Sequence, residues 1–280
     1  MSNGKRRVGI VGYGKLGQFL ASAICEDEAV AAEYELAFVW NRRPEAIGDE
    51  IEASLRLAEL EDFAQYRPDL IVEVAHPKIT ETYGARFLAT CDYMVGSPTA
   101  FATLEVEQAM RAAAARDDGH GLYIPRGALP GLEEVLRMVD GGRLGAASIT
   151  MKKHQSSLKF GRELDPPLEA TESEREIYRG PLRELCVLAP NNVNTMAVLA
   201  MASELGFDEV EAALVADPSL EHHITEVNLM GPLTDGPRYR LDLIRSSPAG
   251  AGAVTSTATL TSFLKSMLLA RDAGNGVHFR

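Results

Sequence analysis

The stretch "RVGIVGYGKLGQFLASAIC", Arg7 to Cys25, decides the fold. It opens with a short apolar run, reaches a glycine cluster, and continues with apolar residues at helical spacing. The stretch therefore predicts a strand, a tight turn and a helix. The turn contains the motif G-x-G-x-x-G, formed by Gly12, Gly14 and Gly17. In this context the motif lets the backbone approach a dinucleotide pyrophosphate. Ordinary turn and packing glycines are the alternative, but the flanking strand and helix favour dinucleotide binding.

Strands and helices alternate from residue 6 to about residue 125. Further apolar runs are "YELAFVWN", "RPDLIVEVAHP", "CDYMVGSP" and "GLYIPRG", and helix-compatible segments such as "KITETYGARFLAT" and "TLEVEQAMRAAAARD" lie between them. Strands that are buried on both faces read as continuous apolar runs. The pattern therefore predicts an α/β protein with a Rossmann-type, doubly wound parallel sheet.

The pattern changes after "GALPGLEEVLRMVDGG". The segments "AASITMKKH", "EVEAALVAD", "HITEVNLMG" and "RYRLDLIRS" predict an antiparallel or mixed sheet, and "NNVNTMAVLAMASEL" predicts a helix. We expect "GRELDPPLEATESERE" to be an exposed excursion and "TSTATLTSFLKSMLLARDAG" to end the chain in a helix. The expected division is a Rossmann domain at 1–125 plus about 250–280, and a second, α+β domain at about 126–249.

The composition indicates which kind of ligand the protein binds and in which cellular compartment it resides. A formal net charge of −12 disfavours a nucleic-acid partner, because such binding depends on clustered Lys and Arg. Cys25, Cys91 and Cys186 have no disulfide or zinc spacing, which favours a reducing compartment. No apolar stretch has the length of a membrane span, and no signal-peptide core follows the N-terminus. We expect a cytoplasmic protein with a small-molecule ligand.

The end of the second strand bears on cofactor choice. The fingerprint expects an acid there to bond the ribose 2′-hydroxyl, but the strand ends in Asn41, followed by Arg42 and Arg43. An Asn can bond a hydroxyl without repelling a 2′-phosphate, and an arginine can pair with that phosphate. NADP, or use of both NADP and NAD, is favoured over strict NAD. Loop arginines that are simply solvated remain the alternative.

Several residues lie where the ends of the strands are expected to meet. His76 is either a cofactor contact or a polar group that caps the following helix. Glu73 lies inside an apolar strand, where an ionised carboxylate needs a partner, so it is either structural or it orients a group nearby. The small residues at these strand ends are Ala75, Gly96, Ser97, Gly127 and Ala128.

These residues resemble the L-aspartate dehydrogenase family, including its animal aspartate dehydrogenase domain-containing members. The resemblance runs over nearly the whole chain, through "VGYGKLGQ", "FVWNR", "RPDLIVEVAHPKI", "VGSP", "RGAL", "LAPNNVNTMA", "LGFD", "LVAD" and "GAVTSTAT". It implies a Rossmann domain completed by the C-terminal segment, a substrate domain whose sheet contributes to a homodimer, and reversible oxidative deamination of L-aspartate with NAD(P)⁺ to iminoaspartate, then oxaloacetate and ammonia.

The resemblance also implies site residues. The family's cofactor contacts fall on Lys15, Leu16, Asn41, Arg42, Ala75, His76, Ser97, Ala128 and Asn194. Microbial members often have an acid where Asn41 stands and a serine where His76 stands, which leaves cofactor and substrate choice open. Lys152 and Lys153 could reach a dicarboxylate, or could lie at a solvated strand end.

The two histidines in "VADPSLEHHITEV" complete the expected site. The resemblance places the catalytic histidine on His223 when it is aligned from Gly231, whereas counting forward from Asp217 misses by one, so His222 stays open. A metal pair is disfavoured because neighbouring strand residues point to opposite faces, so no metal site is expected. Histidine titrates near neutrality and suits the acid–base steps of deamination. The rival hypotheses are a Rossmann oxidoreductase with another amino acid, semialdehyde or sugar substrate, and a non-catalytic NAD(P)-binding protein.

Overall fold

The structure is a computed structural model that describes residues 4–160, 167–250, 252–253 and 257–280. The chain divides into two compact units. Unit 1 comprises Met1–Pro125 and Leu264–Arg280, and unit 2 comprises Arg126–Phe263.

Unit 1 contains a parallel sheet. Its strands are β1 (Arg6–Val11), β2 (Tyr34–Trp40), β3 (Leu70–Glu73), β4 (Asp92–Val95), β5 (Gly121–Ile124) and β11 (Gly276–Phe279). Among the described residues the sheet has six strands, in the order β11-β5-β4-β3-β1-β2, and every neighbouring pair is parallel. The chain runs outward from β1 to β2 and then resumes on the other side of β1 with β3. Ligands of open α/β sheets bind at such a reversal.

Helices connect these strands. They are α1 (Lys15–Glu26), α2 (Glu28–Glu33), α3 (Pro77–Leu88) and α4 (Leu104–Ala114), and α9 (Thr257–Leu269) precedes β11. The strands β3 and β5 are buried along their whole length, as their continuous apolar runs predict. The predicted Rossmann-type parallel sheet is confirmed.

The end of the chain differs from its prediction. The predicted terminal helix is present as α9, but a strand, β11, follows it and pairs with β5 along its whole length. The sequence "GVHF" is a short run with a histidine in it, so it has no strong strand pattern of its own. The prediction was wrong here because pairing with a buried neighbouring strand creates β11.

Unit 2 contains a mixed sheet. Its strands are β6 (Ala146–Lys153), β7 (Arg175–Pro181), β8 (Glu211–Ala216), β9 (His222–Met230) and β10 (Arg240–Pro248). Their order is β10-β9-β6-β8-β7 in the described residues, and only the β6–β8 pair is parallel. Burial alternates strictly along β6 and β9, so each strand has one buried and one more exposed face.

The helices of unit 2 are α5 (Leu132–Asp140), α6 (Leu182–Leu188), α7 (Asn194–Ala202) and α8 (Gly206–Glu209). Helix α7 is buried from Thr195 to Ala202 and packs against α5, α6 and α8. The sequence predicted α7 but missed β7 and α6. Part of the predicted exposed excursion, residues 161–166, lies outside the described residues; Glu172, Ser173 and Glu174 in its remainder are exposed. Among the helices described, none is long and apolar enough to span a membrane.

Candidate active site

The glycine turn joins β1 to α1 with close backbone packing. Gly12 has a φ of 111°, which favours glycine, and a Cβ there would lie 2.8 Å from the Ala75 nitrogen. A Cβ on Gly17 would overlap the Gly12 carbonyl oxygen, so the helix can approach the turn only without a side chain at this position. Gly12 and Gly17 are therefore required by packing.

Gly14 differs from the other two glycines of the turn. It is exposed, a Cβ on it would meet nothing within 4 Å, and its backbone angles, φ −82° and ψ −169°, suit any residue. No side chain of the described residues caps the helix that begins at Lys15. The first N–H groups of α1 therefore have no side-chain cap among the described residues, which leaves them available to a pyrophosphate. The turn fits a dinucleotide.

Asn41 ties the end of β2 to this turn. Its Oδ1 accepts a hydrogen bond from the Tyr13 N–H at 3.2 Å, and its Nδ2 donates to the Arg43 carbonyl at 3.0 Å. The Gly12 N–H also donates to the Trp40 carbonyl at 2.8 Å. Asn41 thus shapes the loop that presents the exposed side chains of Arg42 and Arg43.

Glu73 is the last residue of β3, and its buried side chain forms hydrogen bonds at the ends of two strands. Its side chain is fully buried, and its Oε1 accepts hydrogen bonds from Ala75 N at 2.7 Å, His76 N at 2.9 Å and Ser97 Oγ at 3.0 Å. Its Oε2 accepts from Ser97 N at 2.9 Å. One carboxylate therefore holds the carboxyl ends of β3 and β4 together, at three of the residues predicted to contact the cofactor.

The surroundings of Glu73 also set its protonation. Burial raises the pKa of Glu73 to about 7, against the opposing effect of the four hydrogen bonds. His76, which follows, is exposed, and its Nδ1 accepts from the Lys78 N–H at 3.2 Å as the cap of α3. The capping role considered for His76 is observed, and its ring remains accessible to a ligand.

A second group of predicted residues lies in unit 2. His223 is 8% exposed and lies on the buried face of β9, whereas His222 is half-buried on the opposite face. Burial is the main cause that lowers the pKa of His223 to about 4, and the nearby Lys153 ammonium adds to it. A backbone hydrogen bond with Ala253 works in the opposite direction. His223 is therefore neutral at physiological pH, and its Nε2 has no hydrogen-bond partner among the described residues.

Lys153 is one of the two lysines expected either to reach a dicarboxylate or to lie at a solvated strand end. Its register in β6 places it beside His223, since Lys152 pairs with Ile224 and the next antiparallel pair is Lys153 with His223. Lys153 is 3% exposed, and burial lowers its pKa to about 8. The alternation "AASITMKK" already put Lys153 on the same face as Ile149 and Met151, which is the signal that could have separated it from Lys152.

Asn194 and Ala128, the other two predicted cofactor contacts, are also in unit 2 and are half-buried. Asn194 is the first residue of α7, and Ala128 follows Gly127, whose carbonyl accepts from Ser262 Oγ at 2.9 Å. In the described residues no group of three His, Cys, Asp or Glu side chains could hold a metal ion.

These features define a class: an oxidoreductase with an NAD-binding Rossmann domain and a second α/β domain. A family model described as "Homoserine dehydrogenase, NAD binding domain" matches residues 12–125, and one described as "Aspartate dehydrogenase, C-terminal" matches residues 134–266. The chain belongs to the aspartate dehydrogenase family.

Individual proteins of this family are similar to the chain over most of its length. An aspartate dehydrogenase domain-containing protein of Danio rerio is 43% identical over 99% of both chains. An L-aspartate dehydrogenase of Methanococcoides burtonii is 26% identical over 80% of this chain and 83% of its own. The crystal structure of aspartate dehydrogenase from Thermotoga maritima covers 95% of this chain and 94% of its own with a TM-score of 0.65 at 21% identity, which shows the shared fold.

Gly14→Ala and Gly17→Ala form a matched pair. Gly14→Ala should weaken NADPH and NADH binding at least tenfold, because its methyl group fills the space open to the pyrophosphate. It should change the free energy of unfolding by less than about 0.5 kcal/mol. Gly17→Ala should lower that free energy by about 1–3 kcal/mol, because the turn must move. Fluorescence titration and urea unfolding measure both; equal stability of the two variants would contradict the packing argument.

Glu73→Gln tests the buried carboxylate through pH. The folded-state pKa of Glu73, about 7, lies above the ordinary 4.5, so the folded state holds the proton more tightly. Its contribution to stability is complete below pH 4.5 and is lost as the pH rises through 7. The unfolding free energy of the wild type relative to Glu73→Gln should fall by about 3 kcal/mol over that range. Urea unfolding followed by Trp40, the only tryptophan, reports on unit 1; a difference that rises with pH would contradict this.

Proposed function

We propose that this protein is an NAD(P)-dependent L-aspartate dehydrogenase. The observation that carries the proposal is the buried, neutral His223, whose Nε2 has no partner among the described residues. It lies in a chain of the aspartate dehydrogenase family whose glycine turn fits a dinucleotide. The M. burtonii relative is named for this activity. The reaction converts L-aspartate and NAD(P)⁺ to iminoaspartate and NAD(P)H, and water then releases oxaloacetate and ammonia.

The proposed steps use a few residues of this chain. The nicotinamide cofactor supplies the redox chemistry by accepting a hydride from Cα. His223 accepts a proton from the substrate ammonium so that the amine is neutral, and it later activates water for hydrolysis of the imine. A neutral imidazole with a free Nε2 can accept such a proton. Asn194, at the start of α7, would position the nicotinamide amide or the substrate.

The cofactor contacts proposed in unit 1 lie at the ends of successive strands. Support comes from the open space at Gly14, the exposed Lys15, and Ala75 and Ser97, whose backbone positions Glu73 holds. Leu16 and His76 complete this set, and Ala128 is the further contact proposed in unit 2. NADP is favoured slightly over NAD because exposed Arg42 and Arg43 follow Asn41, which carries no charge.

We propose a cytoplasmic homodimer. Support for self-association comes from β10, an edge strand of the unit 2 sheet on which Ile244 is 72% exposed. Support for a reducing compartment comes from the cysteines, all three of which are free thiols.

His223→Asn should lower kcat at least 10²-fold while NADPH affinity stays within twofold, because a general base is lost and the dinucleotide turn is untouched. His222→Asn is the matched control and should keep kcat within twofold. The acid limb of kcat/KM for aspartate in the wild type should lie below pH 6.5, because the pKa of His223 is lowered. Absorbance of reduced nicotinamide measures turnover; a large loss in His222→Asn alone would reverse the assignment.

Arg42→Ala tests cofactor choice. Loss of a charge-assisted hydrogen bond to the 2′-phosphate should weaken NADPH binding by about 10- to 100-fold and leave NADH binding within twofold. Arg116→Ala, which removes another exposed arginine of unit 1, is the control for net charge. Fluorescence titration measures the dissociation constants. Equal losses for both cofactors in Arg42→Ala would contradict 2′-phosphate recognition.

A further inference from the structure

Lys153 is a buried cation that has no carboxylate partner among the described residues. Its side chain is 3% exposed, and its Nζ donates to the Asn192 carbonyl at 3.4 Å. It forms no ion pair with any carboxylate in the part of the chain that the structure describes. Buried charges are normally paired, because removing an ammonium group from water is strongly unfavourable. Among the described residues, no negative charge therefore balances Lys153.

The neighbouring lysine shows what a satisfied side chain looks like in the same strand. Lys152 points to the opposite face of β6, where its Nζ lies 3.6 Å from both Glu174 and Glu226. Two adjacent lysines thus have opposite electrostatic surroundings. The difference indicates that Lys153 is not simply one more structural ion-pair residue.

Polar atoms in the segment between β6 and β7 also lack hydrogen-bond partners among the described residues. In the segment after β6, Gln155 Oε1 and Ser157 Oγ are buried without hydrogen bonds among the described residues, and so is Thr171 Oγ1, next to the Gln155 side chain. Buried polar atoms are nearly always paired, so an unpaired group of them marks a place for a polar ligand. The hydroxyl groups of Ser157 and Thr171 can donate hydrogen bonds to a carboxylate.

A second cation, Arg245, lies on the same face of the sheet as Lys153, on the other side of His223. Ser247 pairs with His223 in the register of β9 and β10, and its Oγ accepts from Arg245 Nε at 3.0 Å. Arg245 has no carboxylate partner in the described ranges. His223 therefore lies between a lysine and an arginine on one buried face, in a chain whose net charge is −12.

We propose that Lys153 binds a carboxylate of the substrate, and that this contact makes the chain selective for small acidic amino acids and oxo acids. The inference rests on the proposed function for the identity of the substrate. Lys153 places a carboxylate beside His223, so the carbon that reacts is held within reach of the base. The substrate supplies the missing anion, and the Ser157 and Thr171 hydroxyls are available to donate hydrogen bonds to it.

The test uses binding as well as turnover. Calorimetry measures binding of succinate, a dicarboxylate that does not react, to the full chain saturated with NADPH. The wild type and Lys152→Met should bind succinate alike, whereas Lys153→Met should bind it at least 30-fold more weakly, and Lys153→Arg should recover part of the affinity. Neither the wild type nor any of these variants should bind succinamide, which carries no charge. NADPH affinity and thermal unfolding establish that each variant is folded.

The outcomes separate this inference from the proposed function. A wild type that binds succinate through Lys153 but does not turn over aspartate supports the inference and contradicts the function. Succinate binding by Lys153→Met as tight as that of the wild type, or none by the wild type, overturns the inference. A loss of kcat for oxaloacetate and ammonia in Lys153→Met with succinate affinity unchanged also overturns it, because the lysine would then act in proton transfer.

Discussion

The buried carboxylate of Glu73 is the interaction on which the cofactor half of this protein depends. Two adjacent strands of a parallel sheet end with unpaired backbone groups, and some group must satisfy them before a ligand arrives. Glu73 does so for the turn after β3 and the turn after β4, with four hydrogen bonds of 2.7–3.0 Å. Since no cation among the described residues pairs with it, the backbone N–H groups and one hydroxyl carry the whole compensation for its burial. The positions of Ala75, His76 and Ser97 follow from that arrangement.

In unit 2 the buried charge is a cation rather than an acid. Its sheet buries Lys153 beside His223, and among the described residues no carboxylate pairs with Lys153. Burial, with the nearby lysine, keeps His223 neutral. The two units thus differ in how their buried charged groups are satisfied. In unit 1 the buried acid is hydrogen-bonded and helix α1 has no side-chain cap among the described residues, whereas unit 2 contains buried polar atoms without hydrogen bonds among the described residues. The proposed dehydrogenase of an acidic amino acid would need both kinds of anion site, one for the cofactor phosphates and one for the substrate carboxylate.

The parts of the fold that local pattern specifies were predictable. The glycine turn, the continuous apolar runs of the parallel strands and the alternation in β9 each depend on neighbours within a few residues. The alternation also predicted that His222 and His223 lie on opposite faces of the strand, whereas the choice of His223 came from the family resemblance and left His222 open. The errors came from elements without such patterns. Strand β11 is short and owes its conformation to pairing with β5, and β7 carries charged residues because much of it is exposed. Glu73 was noticed as an anomaly, but its four donors come from two different strand ends.

The sequence by itself determined the Rossmann architecture, the dinucleotide turn and the placement of His222 and His223 on opposite faces of β9, because these follow from local backbone geometry and side-chain periodicity. Only the tertiary structure decided what surrounds the charged groups. It showed that Glu73 is held by hydrogen bonds alone, that Lys152 is paired with Glu174 and Glu226, and that Lys153 has no carboxylate among the described residues. The reason is physical: the energy of a buried charge depends on groups brought together from distant parts of the chain, and no local pattern records which groups those are.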